Sequence, residues 1–377
     1  MQASLSLQCM TTLLFFLPFL LLFVVLAVWA ERKVSAFIQD RLGPMEVGYW
    51  GLLQTVADLL KLLQKEDIVP AAADRKMFLV APVVIFVAVF AGYAVLPLTN
   101  GWAGSATEVG VFYLLSIISL DVIGILMAGW GSNSKYSLYG ALRSVAQIIS
   151  YEVPLGLSIL CAVMLAGSLN LQEISFQQGI WVNDVVGAEE ERLWLFGLPA
   201  LGVELTDVGG FLTWNVVRMP LFFFVWLIFF IASLAESNRA PFDLAEAESE
   251  IIGGYHTEYS GFRWSLVFLA EYGMMLLVSF LGVILFWGSW NTPLPNLGPL
   301  RLAEWTSGAP GTVAGHLWSG FWLISKALLM ILLQMWVRWT YPRLRVDQLM
   351  SLCWKYLTPA AIILLLLTGV WKLIGIG

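Results

Sequence analysis

Cysteine, histidine and charge are all scarce in this 377-residue sequence, and each scarcity removes a class of function. The three cysteines, Cys9, Cys161 and Cys353, stand alone in or beside apolar runs, and no CxxC pair occurs. Iron–sulfur or zinc ligation within the chain is therefore not expected. The two histidines, His256 and His316, fall on opposite sides of any membrane the apolar runs would cross, so they cannot bracket one haem. There is no Walker A loop, no dinucleotide fingerprint and no local nucleophile motif. No basic patch with interleaved aromatics points to nucleic acid. No basic segment precedes the first apolar run, which therefore reads as a retained anchor rather than a cleaved signal. Charged residues make up 12% against 59% hydrophobic, with mean hydropathy +0.81, which excludes a water-soluble globule.

What remains is long apolar runs, enough to cross a hydrocarbon core of about 30 Å as helices. We read an all-α integral membrane protein, a single polytopic domain over 1–377 with no internal repeat. Eight transmembrane helices are expected, near 11–30, 77–98, 109–130, 138–167, 214–234, 263–287, 317–336 and 356–371. Residues 48–65 place Leu52, Leu53, Val56, Leu59, Leu60 and Leu63 on one helical face, with Gln54, Thr55, Asp58, Lys61 and Lys65 on the other. That pattern is an interfacial amphipathic helix, too polar to span. The segments 168–213, with Glu189-Glu190-Glu191, and 291–315 read as external connections. Lysine and arginine concentrate in the loops 31–76, 131–143, 235–263 and 337–355, while the opposite side holds only Arg192, Arg218, Arg301 and Lys372. By the positive-inside rule those four loops are cytoplasmic and both termini face outward.

One cytoplasmic stretch organises the rest: AESNRAPFDLAEAESEIIGGYHTEYSG, from Ala235 to Gly261. It carries Glu236, Asp243, Glu246, Glu248, Glu250 and Glu258 against Arg239 and His256. Pro241 is expected to break the incoming helix, and Asp243 with Glu246 to cap a short helix ended by Gly253-Gly254. Beneath it, Asp121, Glu152 and Glu271 lie on three different spans at similar depth, roughly 12–13 Å from the cytoplasmic ends at 1.5 Å per residue. Lys326 sits deeper, roughly 18 Å before Arg338. An ionised group facing lipid there costs at least about 2.5 kcal/mol, so each should face an interior or a wet cavity. Lys326 paired with one acid would be a structural ion pair; the whole set fits a proton route better.

These segments, in order along the chain, resemble the H subunit of respiratory complex I (subunit 1 in mitochondria). The resemblance is carried by ERKVSAFIQDRLGP from Glu31, ADLLKLLQKEDIVP from Ala57, GSNSKYSLYGALRSVAQIISYEVPLGL from Gly131, the acidic stretch from Ala235, and VRWTYPRLRVDQLMSLCWKYLTP from Val337. It covers essentially the whole chain. It implies a proton-translocating NADH-quinone oxidoreductase in a bacterial-type inner membrane, or the organellar equivalent, with quinone as substrate. NADH, FMN and iron–sulfur clusters would then belong to partner subunits of the peripheral arm, and antiporter-like subunits would be membrane partners. By position, Arg32, Asp58, Lys61, Arg239, Phe242 and Asp243 match the quinone chamber and its entrance. Asp121, Glu152, Glu236, Glu246, Glu248, Glu250, Glu271 and Lys326 match the proton path. The chain departs from the pattern at Ala245, where many relatives have proline, which implies a more helical loop. It departs again at Ser119, where some relatives carry the third-span acid. Asp121 is two positions on, about 200° around a helix, so whether it joins the acid string is left open. Two other readings compete: the homologous subunit of a membrane-bound hydrogenase or ferredoxin-linked enzyme, and a free-standing ion-coupled transporter.

Overall fold

The structure is a computed structural model that describes residues 5–103, 107–181, 194, 204–244, 252–296 and 300–374. Its plan follows from the apolar runs: with no water in hydrocarbon to satisfy backbone groups, each run closes its own hydrogen bonds as a helix. α1 (Leu5–Ile38) leads to the amphipathic α2 (Gln54–Gln64) and then α3 (Arg75–Gly92). A small antiparallel hairpin, β1 (Pro97–Thr99) and β2 (Trp102–Ala103), precedes α4 (Gly110–Ile118), α5 (Leu120–Gly131) and α6 (Lys135–Ala166). Among the described residues three short helices follow, α7 (Leu171–Phe176), α8 (Leu205–Val208) and α9 (Asn215–Arg218). α10 (Phe222–Glu236) and α11 (Gly261–Phe286) flank the acidic stretch. α12 (Leu302–Ser307), α13 (Val313–Thr340), α14 (Val346–Ser351) and α15 (Thr358–Leu373) complete the described chain.

Among the described residues, seven helical stretches are long and apolar enough to cross a membrane, and α10 is a shorter apolar helix. The expected fifth span is thus a broken one. Pro220 lacks an N–H and obstructs the turn before it, so α9 stops at Arg218 and α10 restarts at Phe222. α10 has 15 residues, a rise of about 22 Å. The last span starts earlier than expected, at α14, and passes into α15 through a π turn, Leu352–Leu357. That wider turn lies just before Pro359, which has no N–H to offer the preceding turn. Pro241 does not end α10. The helix closes at Ser237 with Asn238 in the left-handed region (φ 48°), where Arg239 N–H reaches Leu234 O (3.1 Å) and Asn238 N–H reaches Ala235 O (3.3 Å). Asparagine tolerates that conformation, and the two bonds are those of a Schellman ending.

α11 is the hub, because it is apolar on all sides and every residue from 272 to 286 is buried. It packs against α1, α3, α10 and α13. α6 packs on the far side of α10 and also on α5 and α15. The connections gather at two ends. At one end, which we call the basic end, Asn133 Nδ2 donates to Ala72 O, Ser137 Oγ to Tyr255 O, and Leu344 N–H to Pro241 O. At the far end, Val111 N–H donates to Leu169 O, Thr213 Oγ1 to Gln178 O, and Asn296 N–H to Val208 O.

Candidate functional site: an apolar crevice beside buried acids

α1 puts two neighbouring charged residues to different uses. Successive residues point about 100° apart, so Arg32 turns toward α2 while Glu31 turns inward. Arg32 Nη1 pairs with Asp58 Oδ2 at 2.6 Å. The pair borders an apolar crevice of about 270 Å³ between α1, α2 and α11, lined by Val24, Val28, Leu59, Leu62, Phe268 and Leu269 among others. A second, more polar cavity of about 360 Å³ shares Arg32, Asp58, Leu62 and Trp264 with it, and adds Lys61, Lys65 and Tyr259. The two form one recess, greasy at one end and charged at the other. α2 is fastened over it at its C-terminal side as well. Arg263 Nη2 pairs with Asp67 Oδ2 at 2.9 Å, and Ser260 Oγ bridges Glu66 O and Ile68 N–H.

Glu31 anchors a second cluster that the sequence reading missed. It is buried and accepts hydrogen bonds from Tyr272 Oη (2.5 Å), Arg239 Nη1 (3.2 Å) and Arg338 Nη1. Arg239 also lies over the Tyr272 ring, 4.1 Å from its centroid. Burial alone would lower the Arg239 guanidinium, but Tyr272, Glu31 and Glu271 outweigh it and hold it above its ordinary value. It is charged. In the sequence, Glu31 stood at the end of a span, where a charge is an ordinary interfacial residue. Its inward phase, about 100° from that of Arg32, was the available signal.

The acids converge. Asp121, Glu236 and Glu271 line one small cavity with Ser237, Asn238 and Tyr255, about 10 Å³ in volume, close to the least space one water needs. Asp121 and Glu236 are buried. Tyr255 Oη donates to Glu271 Oε1 at 3.4 Å. Asp121 therefore does face the other acids. Glu152 lies beside them and accepts from Ser119 Oγ, so serine and glutamate meet where some relatives carry the third-span acid. Of the other expected chamber residues, Phe242 packs edge-on against Tyr151 (5.3 Å), and Asp243 Oδ2 pairs with Arg343 Nη2 at 3.0 Å. Neither borders the recess at Arg32. Glu246, Glu248 and Glu250 lie outside the described residues, as does the short helix expected after Asp243. Lys326 stands apart from the acids, at the far end, donating to the carbonyls of Trp287, Ser289 and Asn291.

The model of one protein family, described as NADH dehydrogenase, matches residues 10–369. The chain is 58% identical over 362 residues to H subunit 2 of the NADH-quinone oxidoreductase of Cytophaga hutchinsonii, covering 96% of this chain and 98% of that one. It is 51% identical over 344 residues to the H subunit of the Chlorobaculum parvum enzyme, covering 91% and 86%. To the H subunit of the Anoxybacillus flavithermus enzyme it is 42% identical over 351 residues, covering 93% and 90%. The chain belongs to the family of complex I H subunits. Family membership makes it a membrane subunit of an oxidoreductase complex, and its apolar helices fit a multi-pass inner-membrane protein. These relatives lend no support to the hydrogenase or transporter readings. Among the described residues no group of three or more His, Cys, Asp or Glu could hold a metal ion.

Proposed function

We propose that this chain forms the membrane part of the quinone chamber of a complex I-type enzyme and passes protons through its buried acids. The observation that carries the reading is the crevice between α1, α2 and α11, whose apolar walls end at the Arg32–Asp58 pair. Apolar walls suit an isoprenoid tail, and the charged end suits a polar head group passing through. The Glu31–Arg239–Arg338 cluster and the acid cavity lie beside it, carried by α1, α5, α10, α11, α13 and the loop after α10. In this reading the electron carriers belong to peripheral-arm subunits docked on the basic end. Glu246, Glu248 and Glu250 join the acid string from the loop, and antiporter-like subunits receive the proton signal. The basic end is cytoplasmic and the termini lie on the other side.

The test is to fill the crevice. Leu62→Trp and Val28→Trp, in the assembled complex, should each raise the KM for a long-tailed quinone at least about tenfold, a loss of about 1.4 kcal/mol of binding. Electron transfer from NADH to a hydrophilic artificial acceptor should be unchanged. Unaltered quinone kinetics in both variants would sink the crevice as the route.

A further inference from the structure

The far end of α11 is closed by side chains rather than by more helix. A helix leaves its last four carbonyls without intrahelical partners. Here Gln178 Nε2 donates to Ile284 O (2.8 Å) and Asn215 Nδ2 to Leu285 O (2.8 Å). The carbonyls that follow converge on one cation. Lys326 Nζ, reaching across from α13, lies 2.8 Å from Trp287 O, 2.9 Å from Ser289 O and 2.6 Å from Asn291 O. The ring of Trp214 covers it, with Nζ 4.2 Å from the centroid. Gly288, at φ 72°, lets Trp214 come this close, since a Cβ there would stand 2.0 Å from the indole.

We propose that the carbonyls of Trp287, Ser289 and Asn291, with the Trp214 ring, form a site for an ammonium-type monovalent cation. Lys326 fills that site from α13 and so locks the far ends of α11 and α13 together. Three carbonyls need three N–H donors, which an ammonium has and a neutral amine lacks. The aromatic face likewise favours a cation. No carboxylate among the described residues shares the site, and a carbonyl cannot take up a proton. Lys326 is thus a tethered cation and not a link in the acid chain. Glu271 is 16 residues before Trp287 along α11, roughly 24 Å away.

Chemical rescue tests this. Lys326→Ala removes the atoms of a propylammonium ion. In the assembled complex the variant should lose quinone reductase activity on heating at least about tenfold faster than the parent. n-Propylammonium chloride at tens of millimolar should restore most of the difference. n-Propanol, which has the shape without the charge, should not, nor should tetramethylammonium chloride, which has the charge without N–H donors. Lys326→Met, whose side chain occupies the space of the lysine stem, should be heat-labile and beyond rescue. Equal rescue by propanol, parental stability in Lys326→Met, or no rescue of an assembled Lys326→Ala complex would each overturn the proposal. If Lys326→Ala does not assemble, growth in n-propylammonium decides: recovered assembly supports the site, and continued failure overturns it.

Discussion

Glu31 is one carboxylate answering two guanidinium groups and a phenol, in a place where water is scarce. Removing its charge would leave Arg239, buried and firmly protonated, and Arg338 without the carboxylate they share. Breaking a buried ion pair by deleting one partner costs about 3–5 kcal/mol, more than the pair itself contributes relative to an apolar replacement. Tyr272→Phe deletes the phenol's hydrogen bond to the Glu31 carboxylate, about 1.5–3 kcal/mol, together with its hydroxyl contact to Arg239. We therefore expect Glu31→Gln to lower the temperature of half-inactivation of the assembled complex clearly more than Tyr272→Phe does. The double variant should be barely worse than Glu31→Gln alone, because the phenol's bond loses most of its value once the carboxylate is neutral. Strictly additive losses would show that the two side chains act independently. This cluster marks the limit of what sequence pattern reveals at a single position. The acids on the spans stood out because each interrupted an apolar run; Glu31 did not, because it ended one.

The same contrast holds for whole elements. α2 was legible from its spacing of leucines, and the spans from length and hydropathy. Their interruptions were less so, since Pro220 and the π turn before Pro359 change the path of a helix without changing its apolar pattern. The end of α10 was misassigned for a similar reason. Pro241 is a strong breaker, but Asn238 supplies a left-handed turn first. What no pattern indicated is how α2 is held. Gly261 begins α11 at φ 58°, and a Cβ there would lie 3.1 Å from Lys65 O and 3.5 Å from Leu62 O. A side chain would be strained by the backbone angle and would push on the C-terminal turn of α2. That turn carries Leu62 and Leu63, which line the crevice. Gly261→Ala should raise the quinone KM several-fold with little change in NADH oxidation by an artificial acceptor. An unchanged KM would mean that α2 is not positioned from this contact.

Across the described residues, the candidate site and the helix fastenings fall at different ends. The recess, the Glu31 cluster and the acid cavity all lie toward the basic loops, while the far end is fastened by cross-helix lysines. Lys326 holds the turn after α11, and Lys372 Nζ donates to Met164 O and Leu165 O at the end of α6 (3.0 and 3.1 Å). Each places a positive charge at a helix C-terminus, where the helix dipole favours it. From residue 272 to 286 α11 is buried on every side, so in the proposed route a proton gathered among the acids leaves sideways rather than along that helix. Asp121, Glu236 and Glu271 share a space fit for about one water, which couples their charges closely. Neutralising one should therefore change the protonation of the other two. Glutamine and asparagine keep the shape but cannot bind or release a proton near neutral pH. We expect Glu271→Gln and Asp121→Asn to assemble normally and to lower quinone-linked turnover and proton pumping together, by about tenfold or more. Glu271→Asp should retain part of both, since a titratable group remains with a shorter reach. NADH oxidation by an artificial acceptor should be normal in all three variants. The assay is assembled complex in native membranes, with turnover and pumping measured side by side. Full turnover and pumping in the two amide variants would make these acids structural. Full turnover with reduced pumping would separate the acids from the quinone reaction and leave them in the proton path alone.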